Sequence, residues 1–430
     1  MSIKISCPIV AQTPSDASYF FGFHDLSPWS ADDELVVLHR FEGDLDALPS
    51  GRETAAIVVW DRRAGSFRTV GETATWNLQQ GARACWVPGR ARTIAYNRLV
   101  DGAMGSEFVD ISTGARRTYP FAIGAIAPDG GSALSPHFGR LGRYWKAYGY
   151  QNVPPPPGLE NPAPQDDGIW RLDLQSGKVE LIIPIAALSE MDRNASGTRP
   201  YRFVTHIAFN PSGTRFVFYD RYISKDGALF SRLLSAKPDG SDLKVLATEK
   251  VSHFAWLDDD TLMVWMRKSM LPIASFRRAG ILAMPLMKPL VDLARFARGR
   301  VKGALLQESY YELNALGAKP PQPLAAALFS EDGHPMVSPD GNWIVLDTYP
   351  DRSGMIPVML YNRRRNARID IGAFHHGVTS RNGDLKCDFH PRWNRAGTQV
   401  AGDICTGGRR AMVILDVTPV VGDQPGRASP

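Results

Sequence analysis

The chain has 430 residues, 44% of them hydrophobic and 22% charged, with a formal net charge of +5. That balance is ordinary for a globular protein with a sizeable core and excludes disordered and collagen-like chains. The first sixteen residues lack the apolar stretch of a signal peptide, no run of about eighteen apolar residues suggests a spanning helix, and four scattered cysteines without a CxxC pair exclude a disulfide framework or zinc ribbon.

In chain order, one phrase recurs. It begins as LSPWSADDELVVLHR at Leu26, RACWVPGRARTIAYN at Arg83 and IGAIAPDGGSALSPHF at Ile123. It sharpens into HIAFNPSG at His206, HFAWLDDD at His253, HPMVSPDG at His334 and HPRWNRAG at His390. A strand-like run follows each of these four, such as RFVFYD, TLMVW, WIVLDT and TQVAGD, as β-branched and aromatic residues prefer. Pro-Asp-Gly, Pro-Ser-Gly and Ala-Gly are turn chemistry. Hairpin signals lie between copies in DRRAGSFRTV, DISTGARRTY, LDLQSGKVELI, AKPDGSDLKVL and YNRRRNARIDI. Seven copies of about four short strands predict an all-β fold, a seven-bladed β-propeller forming a single domain over residues 1–420, with 421–430 as a flexible tail. The last strand, around Met412 to Val417, is expected to pair with N-terminal residues and close the ring.

Residues 268–325 are expected to form an insertion between blades five and six. Residues 267–302 carry nine Lys or Arg against one acid, Asp292. Leu290, Leu293, Ala294, Ala297 and Val301 fall near helical spacing, so the insertion reads as basic and partly helical. It suits either a helix packed on the propeller or peripheral contact with an anionic membrane through 268–302. No motif accompanies the charge to suggest nucleic acid. The expected location is the cytoplasm, with peripheral contact at the inner membrane face as the variant.

Four of nine histidines share one register, and a radial repeat brings equivalent positions together. Residues two positions earlier face the same way on a strand. The axis is therefore expected to be ringed by His206, His253, His334 and His390, with Asp332, Asp388, His24 and Arg83 nearby. Two histidines with one or two carboxylates suit manganese, iron or zinc. Trp76, Gln79 and Gln80 in TWNLQQGARACW suit a sugar face, and Arg140, Tyr148 and their neighbours in FGRLGRYWKAYGYQN suit an acidic sugar chain. DTYPDR, ending a strand at Asp347, reads as structural. His39, His137, His375 and His376 take no role.

The phrases THIAFNPSG, SHFAW, DGHPMVSPDGNWIVLD and DFHPRWNRAGTQVAGD resemble those of the oligogalacturonate lyases. The match covers about the C-terminal half. The resemblance implies a TolB-like, cytoplasmic, seven-bladed propeller that cleaves uronic-acid oligosaccharides by β-elimination with manganese. By the same resemblance His334 and His390 are metal ligands, Asp388 stands where the family has a further His, and Leu385 lies near the place of a Gln. FGFHDLSPW and WNLQQGAR depart from the family pattern and mark a distant branch. The expected function is a lyase acting on an acidic glycan. His206, His253 and Arg83 are the candidate catalytic residues, His24, Trp76, Gln80, Arg140 and Tyr148 the candidate substrate contacts, and His334, Asp388 and His390 the candidate metal ligands. A glycoside hydrolase using Asp332 and Asp388 is the second enzyme reading. A non-catalytic scaffold or glycan-binding propeller in a membrane-associated polysaccharide system is the alternative.

Overall fold

The computed structural model describes residues 3–43, 45–191, 200–223, 229–267, 308–377 and 383–422. Seven sheets, antiparallel except for one added N-terminal strand, follow one another along the chain. Blade one runs from Ser18–Phe20 to Ser66–Thr73, blade two from Cys85–Trp86 to Arg116–Tyr119, and blade three from Ala125–Ile126 to Val179–Pro184. Blade four runs from Arg202–Phe209 to Lys244–Glu249, and blade five from Val251–Trp256 to Gln322–Pro323. Blade six spans Met336–Val337 to Ala367–His375, and blade seven spans Arg392–Trp393 to Arg409–Asp416.

The N-terminus closes the ring, as the sequence predicts. Ile9–Gln12 adds antiparallel to Arg409–Asp416 as the outer strand of blade seven. Just before it, Ile3–Lys4 adds parallel to Ala367–His375, giving blade six a fifth strand. These pairings cover two edges that would otherwise present unpaired amides.

The hairpins owe their sharpness to one local device. Asp61 accepts from the backbone N–H of Arg63 and Ala64, Asp110 from Ser112 and Thr113, and Asp173 from Gln175 and Ser176. Each turn then ends on a left-handed glycine, Gly65, Gly114 or Gly177. The Asp side chain mimics a backbone acceptor, and the glycine takes the positive φ without a Cβ clash. This is what the D-x-x-x-G phrases in blades one to three encode.

Two expected boundaries change. Glu308–Asn314 pairs with Thr261–Arg267 over seven residues and Gln322–Pro323 pairs with it in turn. The part of the expected insertion beyond residue 307 is therefore the outer half of blade five. Tyr310 and Tyr311 are buried there, so the run SYYELN is a strand like its counterparts in other blades. The basic, partly helical insertion and its membrane contact fall on 268–307, outside the described residues. Val421, expected to begin the tail, ends a helical turn, Thr418–Val421, and is buried on blades six and seven. Residues 423–430 are outside the described part. The cysteines are all free, and Cys7, Cys85 and Cys387 are buried as small core residues.

Blades one and two are locked by His39, to which the sequence assigned no role. Its Nε2 accepts from Ala82 N–H at 2.9 Å, and its Nδ1 lies 3.3 Å from the Phe20 carbonyl. Gly81 passes over the ring with φ +56°, and a Cβ there would lie 2.2 Å from the imidazole Cε1. Gly81→Ala should therefore cost about 3 kcal/mol, from strain at positive φ and a clash with a fixed ring. Urea unfolding measures it, and a loss below about 0.5 kcal/mol would refute this account.

Candidate functional site

The register residues do not sit on flat strands. Arg83, His206 and His390 adopt φ of 56°, 54° and 47°. The ladder of blade four jumps between Thr205 and Ala208, and that of blade five between Val251 and Phe254. A bulge re-aims a side chain that regular alternation would lay against a neighbouring blade. Non-glycine residues at positive φ cost about 1–3 kcal/mol each, a strain that concentrates at functional sites.

The re-aimed rings meet at the axis. The His253 and His334 centroids are 4.2 Å apart, and those of His334 and His390 4.3 Å. His24 enters from blade one and lies 5.4–5.9 Å from His206, His253, His334 and His390. All five are buried. Four are oriented through Nδ1. His334 Nδ1 meets both Asp347 oxygens at 2.8 and 3.0 Å, and His253 Nδ1 meets Asp332 at 2.9 Å. His206 Nδ1 meets Thr205 Oγ1 at 2.6 Å, and His390 Nδ1 meets the Gly22 carbonyl. A fixed Nδ1 leaves Nε2 for chemistry, as in metal-ligating and catalytic histidines.

Asp347 does more than orient one ring. It also accepts the backbone N–H of His334 at 2.7 Å and of His390 at 3.0 Å, tying blade six to blade seven. Asp403 does the same for blade one, accepting from Phe21 and Gly22 N–H at 3.0–3.2 Å. Both carboxyls are pushed up to about 6, chiefly by burial. Asp347 is thus part of the site, not only the structural strand end that DTYPDR suggests.

His334, Asp388 and His390 each offer a donor atom within 4.8 Å of the others. Asp388 Oδ2 lies 3.0 Å from the Lys386 ammonium, whereas its Oδ1 is buried without a partner. Two imidazoles and a carboxylate with an unpaired oxygen fit a first-row divalent ion.

A cleft of about 400 Å³ opens over the histidines. His206 and His253 line its floor, with Gln79, Trp145, Tyr148 and Tyr349 around them. Four cations face it, Arg221, Lys250, Arg267 and Lys386. Glu308 takes Lys250 at 2.7 Å and Arg267 at 2.5 Å, and Asp388 takes Lys386. Arg221 has no carboxylate partner among the described residues. Its guanidinium is buried over the Tyr219 and Trp145 rings, at 4.3 and 5.1 Å, with Nε unpaired. Burial pulls its pKa below the usual arginine range, since desolvation disfavours the charge. An unpaired buried cation facing a cleft favours an anionic occupant.

The other expected contacts divide. Tyr148 lines the cleft, stacked near His206 at 5.8 Å. His24 lies beneath, in the histidine cluster. Arg83 is closed off by a buried bidentate pair with Asp25 at 2.8 Å for both oxygens. Its charge is already neutralised by Asp25, unlike that of Arg221. Trp76 is core, packed on Phe41 and Phe20 and donating to the Glu53 carbonyl at 2.7 Å. Gln80 donates to the Tyr148 carbonyl at 3.0 Å and so holds the loop, while Gln79 faces the cleft. Arg140 is buried in an ion pair with Asp167. Trp76, Gln80 and Arg140 are scaffold because the partners they already hold, a carbonyl for the first two and a carboxylate for the third, lie within the fold rather than in the cleft.

Burial also holds His24, His206, His334 and His390 well below the usual imidazole value, and lowers His39 to about 4. Below pH 6.5 the unfolded chain takes up protons that these rings refuse, so stability falls with pH. For His39 alone the full effect is about 3 kcal/mol. Asp347, Asp388 and Asp403 are shifted up and work in the opposite sense. Asp347 and Asp403 act only from about pH 6 downward. The unfolding free energy of chelator-treated protein should therefore be highest above pH 6.5 and already lower at pH 6. A flat profile from pH 7.5 to 6 would contradict buried neutral histidines.

No protein-family model matches the chain, and no curated protein does. Among solved structures, an oligogalacturonate lyase from Vibrio parahaemolyticus superposes with TM-score 0.58 at 13% identity, over 94% of this chain and 92% of that one. An oligogalacturonate lyase in complex with manganese gives 0.58 at 11%, over 97% and 98%. The β-propeller domain of the Trilobed protease from Pyrococcus furiosus gives 0.51 at 10%, over 94% and 95%. At such identities the likeness is one of fold: the chain is a seven-bladed β-propeller similar over nearly its whole length to oligogalacturonate lyases, and to a lesser degree to the propeller domain of a protease.

Proposed function

We propose that this protein is a lyase that cleaves a uronate-containing oligosaccharide by β-elimination in the cleft over the histidine cluster. The observation that carries this reading is the pairing of two oriented imidazoles that line the cleft, His206 and His253, with the partnerless Arg221. Similarity of fold to oligogalacturonate lyases supports it. In this reading Arg221 receives the uronate carboxylate and spreads its charge, which acidifies the adjacent C5–H. His253, held by Asp332, accepts that proton at Nε2, with His206 as the neighbouring candidate. Burial keeps the Tyr148 and Tyr349 phenols protonated, so either can donate to the leaving C4 oxygen. The C5–H and C4–O bonds break, a C4=C5 double bond forms, and the leaving sugar departs as an alcohol. His334, Asp388 and His390 would hold a divalent ion, manganese by fold likeness, with iron or zinc suiting the same donors. Such an ion supplies Lewis-acid neutralisation of the carboxylate.

The test is a screen of uronate oligosaccharides for the absorbance of an unsaturated product, with metal content measured on the same protein. Turnover lost in His253→Ala is the expected result. Binding of acidic oligosaccharides without unsaturated product would instead make the cleft a glycan-binding site. A saturated product would favour a hydrolase. The peripheral membrane contact expected of the basic segment falls on 268–302, outside the described residues. No helix of the described residues is long and apolar enough to cross a membrane.

A further inference from the structure

His334, Asp388 and His390 supply two nitrogens and one oxygen, one short of the smallest closed set that first-row divalent ions take in proteins. The geometry points to His24 as the fourth protein ligand, an assignment that rests on the metal reading above. His24 comes from the opposite end of the chain and from a different blade, and its Nε2 is buried with no hydrogen-bond partner. A buried imidazole nitrogen left unpaired is costly unless something occupies it. Asp388 Oδ1 is the second orphan in the same cluster.

The spacing agrees. Metal–nitrogen bonds of ~2 Å place the centroids of two imidazoles on one ion about 4–6 Å apart, depending on the angle at the metal. His334 and His390 are 4.3 Å apart, and His24 is 5.4 Å from the first and 5.9 Å from the second. The segment bearing His24 is fixed for this task. Asp403 holds the amides of Phe21 and Gly22, and the Gly22 carbonyl meets His390 Nδ1. Gly22 itself turns at φ +114°. The ligand from blade one is thus tethered to the ligand from blade seven, and the ion would bridge the seam where the ring closes.

The experiment compares wild type with His24→Phe, which keeps ring volume, and with His24→Ala should the phenyl ring fail to fit. Equal unfolding midpoints of the chelator-treated proteins establish that the fold is kept. Titration with manganese(II) and zinc(II) should give about one equivalent in wild type and more than tenfold weaker binding in the variant. Spin-echo modulation of the copper(II)-loaded proteins should count three imidazoles in wild type and two in the variant. Wild-type affinity and imidazole count in a folded His24 variant would overturn the assignment and leave the three-residue site intact. A wild-type protein that takes no ion would overturn both.

Discussion

Asp347→Asn should lower the unfolding free energy by about 2–4 kcal/mol and weaken ion binding at least tenfold, although it changes one oxygen to nitrogen. The reason is that both carboxylate oxygens are used as acceptors by backbone donors. Oδ1 takes the His334 N–H at 2.7 Å and Oδ2 the His390 N–H at 3.0 Å, while His334 Nδ1 sits between them. An amide can satisfy one of those two N–H groups but must aim its own N–H₂ at the other. Whichever way it turns, a buried donor faces a donor, and one strand bearing a ligand is displaced. Asp332→Asn is the contrast. There Oδ1 alone receives His253 Nδ1 and the Gly333 N–H. An amide oxygen can keep that place, so stability should change by less than about 1 kcal/mol. Denaturant unfolding and metal titration of the two variants provide the check. Equal, small losses would show that Asp347 is not the strut the distances make it.

Much of this site is legible in the sequence because the repeat does the alignment. The histidine register holds, and so does ring closure by the N-terminal strand. The Asp347 strut was legible too. In HPMVSPDGNWIVLD and HPRWNRAGTQVAGD an Asp follows the register histidine by thirteen residues, as Asp347 and Asp403, and Asp220 ends the equivalent run RFVFYD. What repeat logic misses is conformation and distant pairing. Nothing in residue type announces left-handed backbone at His206 and His390, so same-face alternation is too simple a rule there. Arg83, Arg140 and Trp76 look functional by chemistry, yet Asp25 and Asp167 neutralise the two arginines and the Glu53 carbonyl takes the indole N–H, and those partners lie 58, 27 and 23 residues away. Arg221 carries no motif signal, since it follows Asp220 as the last charged pair of a strand. Alternation separates the two: Asp220 turns to Arg202 and Arg232, and Arg221 to the cleft.

That division of labour yields the second large effect. Arg221→Ala should lower kcat/KM on an acidic oligosaccharide by about two to three orders of magnitude, the size of removing one partner of a desolvated charge pair. Arg221→Lys should recover only part of it, because an ammonium cannot present the planar fork that matches a carboxylate. Stability should respond weakly. The guanidinium has no carboxylate partner to leave behind, and what it gives the fold is stacking on Tyr219 and Trp145, about 1–2 kcal/mol. Its desolvation opposes even that. Arg83→Ala should show the reverse pattern. It strands Asp25, whose side chain is 6% exposed in the ion pair, and should cost about 3–5 kcal/mol of stability. Thermal unfolding beside turnover of the same two variants separates a cation that waits for a substrate from one that serves the ring. Turnover of Arg221→Ala within threefold of wild type would remove the carboxylate receptor from the mechanism, and the anionic substrate with it.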